Sequence, residues 1–294
     1  MNINKVIITK GIYLDKELRL LVSFDENDKP IDLIDLDITK VGETHLATVE
    51  KVLTDIDACI LKLDCDAKGF IEVKKLNPDD FVTRHSTKKT VCQNDQFYVQ
   101  IYQDRKGIKP YSCNFVKDDN VKDTVITHYM KKYCTDKTEV ITDIADIAED
   151  NANFRFYEDE TLSLWNLYGI TKLLDNVASK ISHLKSGGNI VIEQTEALTI
   201  IDVNSGKNYG KQSALEVNIE ALETAFKEIR LRSISGIILI DLLKISKAEE
   251  EGLINQAKTL VADDIAQVKI HGFSNLGLLE ITRSKIYSPF QLMS

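Results

Sequence analysis

No two of the five cysteines form a C-x-x-C pair; Cys59, Cys65, Cys92, Cys113 and Cys134 are odd in number and scattered. The spacing therefore signals neither a disulfide framework nor a zinc site, and free, partly buried thiols are expected. Histidine adds nothing: His45, His85, His128, His183 and His271 stand at no ligand spacing from acids or cysteines. No apolar run reaches the length of a membrane span, and the opening MNINKVIITKGIYLDKELRLL has no signal-peptide h-region. A cytoplasmic location without membrane contact is expected. Internal repeats and low-complexity tracts are also missing. Cations are outnumbered, 37 Lys and Arg against 46 Asp and Glu, for a net charge of −9. That balance argues against a generic nucleic-acid coat. It leaves room for a local basic groove, because a metal at an acidic site supplies positive charge of its own.

What is there suffices for two or three domains: 294 residues, of which 43% are hydrophobic. Residues 1–40 read as β-rich, with a hairpin from Glu17–Phe24 through the turn at Asp25–Lys29 to Pro30–Ile38. Short strand-like runs at Thr44–Val52, Ala58–Leu63, Gly69–Val73 and Gln96–Tyr102 suggest a small barrel. Residues 111–150 are polar and resist assignment. Leu162–Leu184 has the period of an amphipathic helix, stopped by Ser186-Gly187-Gly188. A strand over Asn189–Glu193 follows. Beyond the central stretch, the pattern predicts a helix from Ser246 to about Asp264 and strands at Val268–Phe273 and Gly277–Thr282.

The central stretch, Ala197 to Leu243, holds two apolar runs short enough to be buried strands, Ala197–Val203 and Gly236–Leu243, with a helix over Ser213–Arg232 between them. Each run delivers one acid, Asp202 and Asp241. An ionised carboxylate is costly to bury without a partner. Two of them at strand ends point to a shared Mg²⁺, which takes hard oxygen ligands; the alternative is that each merely caps the next helix. Asn204 stands two residues beyond Asp202, on the same side of an extended segment. It is either a polar member of the site or a turn residue before Gly206.

Taken in order, these residues resemble the ribonuclease E/G family of single-strand endoribonucleases. The resemblance rests on Ile201-Asp202-Val203-Asn204-Ser205-Gly206-Lys207, Asn218-Ile219-Glu220-Ala221, Arg230-Leu231-Arg232, Gly236, Ile240-Asp241 and Leu276-Gly277-Leu278-Leu279-Glu280-Ile281-Thr282-Arg283. Upstream, Ser186–Ile192 and Thr195-Glu196-Ala197-Leu198 match too. Gly69-Phe70-Ile71 and the run to Lys109 resemble the family's inserted S1 domain.

The resemblance implies an α/β (α+β) fold. An RNase H-like subdomain would hold residues 1–40 and 135–186. An S1-like OB barrel would hold 41–110, a reduced sensor or linker region 111–134, and a DNase I-like catalytic subdomain 187–294. It implies Mg²⁺-dependent hydrolysis of single-stranded, A/U-rich RNA, in RNA processing or decay, with Mn²⁺ as a possible substitute. Asp202 and Asp241 would hold the metal and Asn204 would orient water or phosphate. Lys207, Arg232 and Arg283 are candidate phosphate clamps, or else ordinary solvated charges. Phe70 and Lys109 would bind RNA on the barrel, unless Phe70 is barrel core.

There are departures from the family pattern. Lys244 stands where an acid is usual, Ile60 where the barrel carries an aromatic, and no Arg-Thr pair of a 5′-phosphate sensor occurs within 111–134. No zinc is expected, the oligomer is a monomer or a dimer not bridged by zinc, and cleavage should depend little on the RNA 5′ end. The competing expectation is a catalytically inactive relative that binds RNA through its barrel.

Overall fold

The computed structural model describes residues 3–87, 90–104, 109–117, 123–206 and 213–290. Its first two strands, β1 (Lys5–Tyr13) and β2 (Lys16–Phe24), pair antiparallel without a break, Lys5 opposite Phe24 and Tyr13 opposite Lys16. The two-residue connection needs positive φ twice, and Leu14 and Asp15 adopt +47° and +61°. Leucine is a poor advertisement for such a turn, which is why the sequence pattern starts its hairpin only at Glu17 and passes over β1. The next turn is conventional: Asp25 Oδ1 accepts from the N–H groups of Asn27 and Lys29, both at 2.9 Å, and β3 (Pro30–Asp35) returns along β2.

The barrel follows. β4 (Thr44–Leu53), β5 (Ala58–Leu63), β6 (Lys68–Glu72), β7 (Gln96–Gln103) and β8 (Tyr111–Val116) close in the order β4-β5-β6-β8-β7. Alternate residues fill the interior, among them Ala47, Val49, Leu61, Ile71, Phe97, Val99 and Ile101, all buried. The fifth strand lies beyond residue 110, in the polar stretch that composition left unassigned. That stretch also supplies α1 (Val125–Tyr133), started by a capping box in which Thr124 and Thr127 satisfy each other's N–H groups. The described residues of 111–134 thus belong to the barrel unit.

By contact density the chain divides into two units. One holds Leu36–Asp136 and Ile286–Ser288, the other Met1–Asp35, Lys137–Lys285 and Pro289–Ser294. In the second, β9 (Glu139–Thr142) runs parallel to β1. After α2 (Ala145–Asp150), β10 (Arg155–Phe156) completes a five-stranded sheet, β10-β9-β1-β2-β3. The single helix expected over Leu162–Leu184 is broken. α3 (Leu164–Leu167) and α4 (Ile170–Ala178) are split by Gly169 at φ +59°, and the last residues form a strand, β11 (Ile181–His183). Periodicity held through the break because Trp165, Ile170, Leu173, Leu174 and Val177 all enter one core. A side chain at Gly11 would collide with the Trp165 ring, which explains the glycine inside β1.

The last sheet carries the acids. β12 (Asn189–Gln194), β13 (Leu198–Asn204), α5 (Ala214–Leu231), β14 (Gly236–Asp241), α6 (Lys247–Leu260), β15 (Val268–Phe273) and β16 (Leu279–Arg283) give the order β11-β12-β13-β14-β16-β15. Only β13 and β14 are parallel, and α5 is their crossover. Ile190, Ile192, Ile201, Val203, Ile238, Ile240, Leu279 and Ile281 pack against Val217, Ala221, Leu222, Ala225, Ile229, Leu253 and Ala257. The opposite face is open: Ile200 and Ile237 are 42% and 50% exposed. The acid-bearing strands are therefore half-buried, not buried on both faces as their apolar runs suggested. A buried pair closes the unit from within, Arg230 donating to both oxygens of Asp32 at 2.6 and 2.9 Å. Among the described residues no helix is long and apolar enough to cross a membrane.

Candidate active site

Asp202 and Asp241 are direct partners in the parallel register of β13 and β14. Neighbouring strands run about 4.8 Å apart and paired residues share a face, so both carboxylates stand side by side on the open face, both exposed. Like charges directly opposite weaken strand pairing. Among the described residues no lysine or arginine forms an ion pair with either acid. Asn204, two residues on and on the same face, donates its Nδ2 to Asp202 Oδ2 at 2.8 Å. That bond fixes the orientation of one carboxylate oxygen.

Helix α5 holds both edges of this arrangement. Buried Asn218 donates to the carbonyl of Leu243 at 2.8 Å and accepts from its N–H at 2.9 Å, which pins the chain just after Asp241. Glu220 accepts from the N–H groups of Lys185 and Ser186 in the turn between β11 and β12. That turn lies against the end of β13 so closely that a Cβ at Gly188 would come within 2.3 Å of the Asn204 carbonyl oxygen. Ser186-Gly187-Gly188 is thus a strand-to-strand turn and not a helix stop. Asn218 and Glu220 were visible in the sequence as a motif but had no role there; their targets are fixed only by the crossover. Gly188→Ala should displace Asn204 and lower any cleavage activity by as much as roughly 10²-fold, with near-wild-type circular dichroism; parallel assays of rate and thermal unfolding check this.

The remaining candidates divide. Arg232 is buried and its guanidinium is occupied by Glu228 Oε2 (2.9 Å), the Ser179 and Asn176 carbonyls (2.8 and 3.2 Å) and Ser182 Oγ (3.3 Å). Arg283, 4% exposed, forms two bonds to Asp264 (3.0 and 2.8 Å) and one to the Ile234 carbonyl (2.9 Å). Neither is placed to clamp a phosphate; both tie strand and helix ends together. Lys207 lies outside the described residues. In the barrel unit, Phe70 is half-buried between buried Gly69 and Ile71, so it sits on the outward side of β6, opposite half-buried Ile60. It is not interior core. Lys109 is exposed just before β8.

One histidine does meet acids and a thiol, contrary to the spacing argument. His45 Nδ1 is 2.6 Å from Asp64 Oδ1, and its Nε2 is 2.9 Å from Glu43 Oε2 and 3.8 Å from Cys65 Sγ. Glu43, opposed by burial and aided by Asp64, holds the imidazole pKa above its ordinary value. By contrast, burial pushes the Cys59 thiol up to about 11, where it is inert. Spacing does not reveal the cluster because its members stand at the open end of the β4–β5 hairpin, about 20 residues apart, where only the strand register brings them together.

The sequence profile of the ribonuclease E/G family matches residues 80–286, which covers the acid-bearing sheet and its crossover. The chain belongs to the ribonuclease E/G family. Its curated relatives include a chloroplastic ribonuclease E/G-like protein of Arabidopsis thaliana, 37% identical over 155 residues. The alignment covers 50% of this chain and 16% of that protein. A protein named putative ribonuclease E from Buchnera aphidicola is 30% identical over 196 residues, 61% of this chain and 47% of the relative. A ribonuclease G of Haemophilus influenzae is 34% identical over 127 residues, 42% and 26% respectively. The chain thus spans less than half the length of each of these family members. Its closed five-strand barrel, with further sheets and helices, is consistent with the family fold.

Proposed function

We propose that this member of the ribonuclease E/G family is an endoribonuclease that hydrolyses phosphodiester bonds in single-stranded, A/U-rich RNA, in RNA processing or decay, with Mg²⁺ or Mn²⁺ as cofactor. The observation that carries the reading is the Asp202–Asp241 register pair, with Asn204 bonded to one of its oxygens. Two adjacent exposed carboxylates fit a hard divalent ion, which removes their mutual repulsion and is held by few protein oxygens. Asp202 and Asp241 are the residues that hold it; when bound, it polarises a phosphate oxygen and activates a water for in-line attack. Asn204 keeps the Asp202 carboxylate in one orientation. Its position on the open face lets a single strand approach without crossing α5 or α6.

The six-stranded sheet is then the catalytic part, the barrel an S1-like RNA-binding part, and the five-stranded sheet the RNase H-like part. A single-stranded substrate suits an outward aromatic such as Phe70, because only unstacked bases offer a free face; A/U-rich segments are those that pair least stably. Phe70→Ala should weaken binding of a single-stranded oligonucleotide by about 1–3 kcal/mol, measured by fluorescence anisotropy in chelator, with the maximal cleavage rate unchanged. The test of the function itself is incubation of an unstructured end-labelled RNA with Mg²⁺ and with chelator. Internal cuts that require the ion support the reading. Retention of RNA without cleavage would overturn it in favour of a non-catalytic RNA binder, the outcome that Lys244 at a usual acid position would explain.

A further inference from the structure

The start of β4 and the turn between β5 and β6 assemble a ligand set quite unlike the acid pair. Asp64 and Cys65 open that turn, which is closed by the Leu63 N–H on the Ala67 carbonyl at 2.9 Å, with Asp66 at φ +61°. Leu46 fastens the turn to β4 twice: its carbonyl accepts from the Asp64 N–H at 3.1 Å, and its N–H donates to Asp64 Oδ2 at 3.2 Å. Glu43 and His45, two residues apart, project to the same side. Ligand atoms of His45, Asp64 and Cys65 consequently lie within 4.8 Å of one another, with Glu43 against the far ring nitrogen.

We propose that Glu43, His45 and Cys65 form a site for a thiophilic divalent cation of the zinc class, with Asp64 as the positioning residue behind His45. A tetrahedral zinc with bonds near 2.0 Å to nitrogen and oxygen and 2.3 Å to sulfur sets N and S roughly 3.5 Å apart and N and O roughly 3.3 Å apart. From His45 Nε2, Cys65 Sγ lies at 3.8 Å and Glu43 Oε2 at 2.9 Å, so an ion is admitted only as the Glu43 carboxylate swings outward and the thiol closes in. Asp64 on Nδ1 holds the Nδ1–H, so that Nε2 becomes the metal-binding nitrogen once its own proton, now donated to the Glu43 carboxylate in a hydrogen bond, is displaced; carboxylates support metal-bound imidazoles in this way. A nitrogen and a sulfur ligand select a thiophilic ion and disfavour Mg²⁺, so this site and the Asp202–Asp241 pair are chemically distinct. Binding displaces the proton of the Cys65 thiol, and any proton on His45 Nε2, to solvent. Three protein groups leave a fourth position for water or another ligand. The competing account is a protonated His45 held between Glu43 and Asp64 as an ion pair, with Lys40 Nζ 3.6 Å from Glu43. It gives Cys65 no part. The inference departs from the sequence expectation that no zinc is bound, and it is independent of the endoribonuclease reading.

The test uses the full chain, reduced, stripped with chelator and titrated with Co²⁺ as the probe. The expected result is a thiolate-to-cobalt absorption band that saturates at one ion per chain and is bleached by Zn²⁺. Cys65→Ser and His45→Ala abolish the band while keeping the wild-type circular dichroism; Asp202→Asn leaves it unchanged. Asp64→Asn keeps the band but weakens Zn²⁺ affinity roughly 10–100-fold, the usual effect of losing a carboxylate behind a metal-bound histidine. No thiolate band in the wild type, or a band that survives in Cys65→Ser, overturns the site. An Asp64→Asn variant with unaltered affinity overturns the positioning role.

Discussion

Asp202→Asn and Asp241→Asn are each expected to yield a folded protein that cleaves single-stranded RNA at least roughly 10²–10³-fold more slowly, equivalent to about 2.7–4 kcal/mol of lost transition-state stabilisation. Fold should be retained because both side chains are exposed and no buried partner depends on their charge. Removing one of two adjacent negative charges also relieves strand repulsion, so thermal stability in the absence of divalent ions should hold or rise slightly. The double variant should be little worse than either single one, because groups that act as a unit lose their function together. The measurement is single-turnover cleavage of a labelled oligoribonucleotide at saturating Mg²⁺. A loss of less than tenfold in either variant would mean that the two acids are not the catalytic pair.

Arg283→Ala is expected to act in the opposite manner: a large loss of stability with no specific loss of RNA affinity. The guanidinium neutralises Asp264 through two bonds and satisfies the Ile234 carbonyl at the approach to β14. Truncation strands a buried carboxylate, at a cost of about 3–5 kcal/mol. Urea denaturation should show the transition moved to lower denaturant at constant slope. RNA affinity, measured well below the transition, should stay within a few-fold of wild type. A phosphate-binding role would give the reverse: unchanged stability and weakened binding.

The contrast between these two predictions marks what could be read from the residues alone. Alternation and turn chemistry were enough for β2, β3, four strands of the barrel and the α/β order of the last third, since those signals are local. β1 was missed because its turn uses Leu14 at positive φ, and β8 because a barrel's closing strand is defined by its neighbours more than by its own polar sequence YSCNFV. Leu162–Leu184 read as one helix because an apolar period survives a left-handed break at Gly169. Asp202 and Asp241 stood out as acids inside apolar runs. Their facing one another is a matter of register, which depends on how α5 returns the chain. Arg232 and Arg283 had the right charge for a phosphate clamp. Only burial distinguishes a cation that meets a ligand from one that fastens the fold. His45 and Cys65 are 20 residues apart, at the open end of the β4–β5 hairpin, and no spacing rule joins them.

The place of β14 in its sheet sets the order in which the centre can come into being. It lies between β13, to which it returns through a helical crossover, and β16, the last strand of the chain's sheet. Parallel pairing across a crossover forms slowly, because loop closure precedes any reward from contacts. During synthesis β13 emerges first, and Asp202 alone is an isolated surface acid. β14 gains its second neighbour only when Leu279–Arg283 has left the ribosome. The paired acids are thereby a property of the finished sheet, since neither strand alone presents them together.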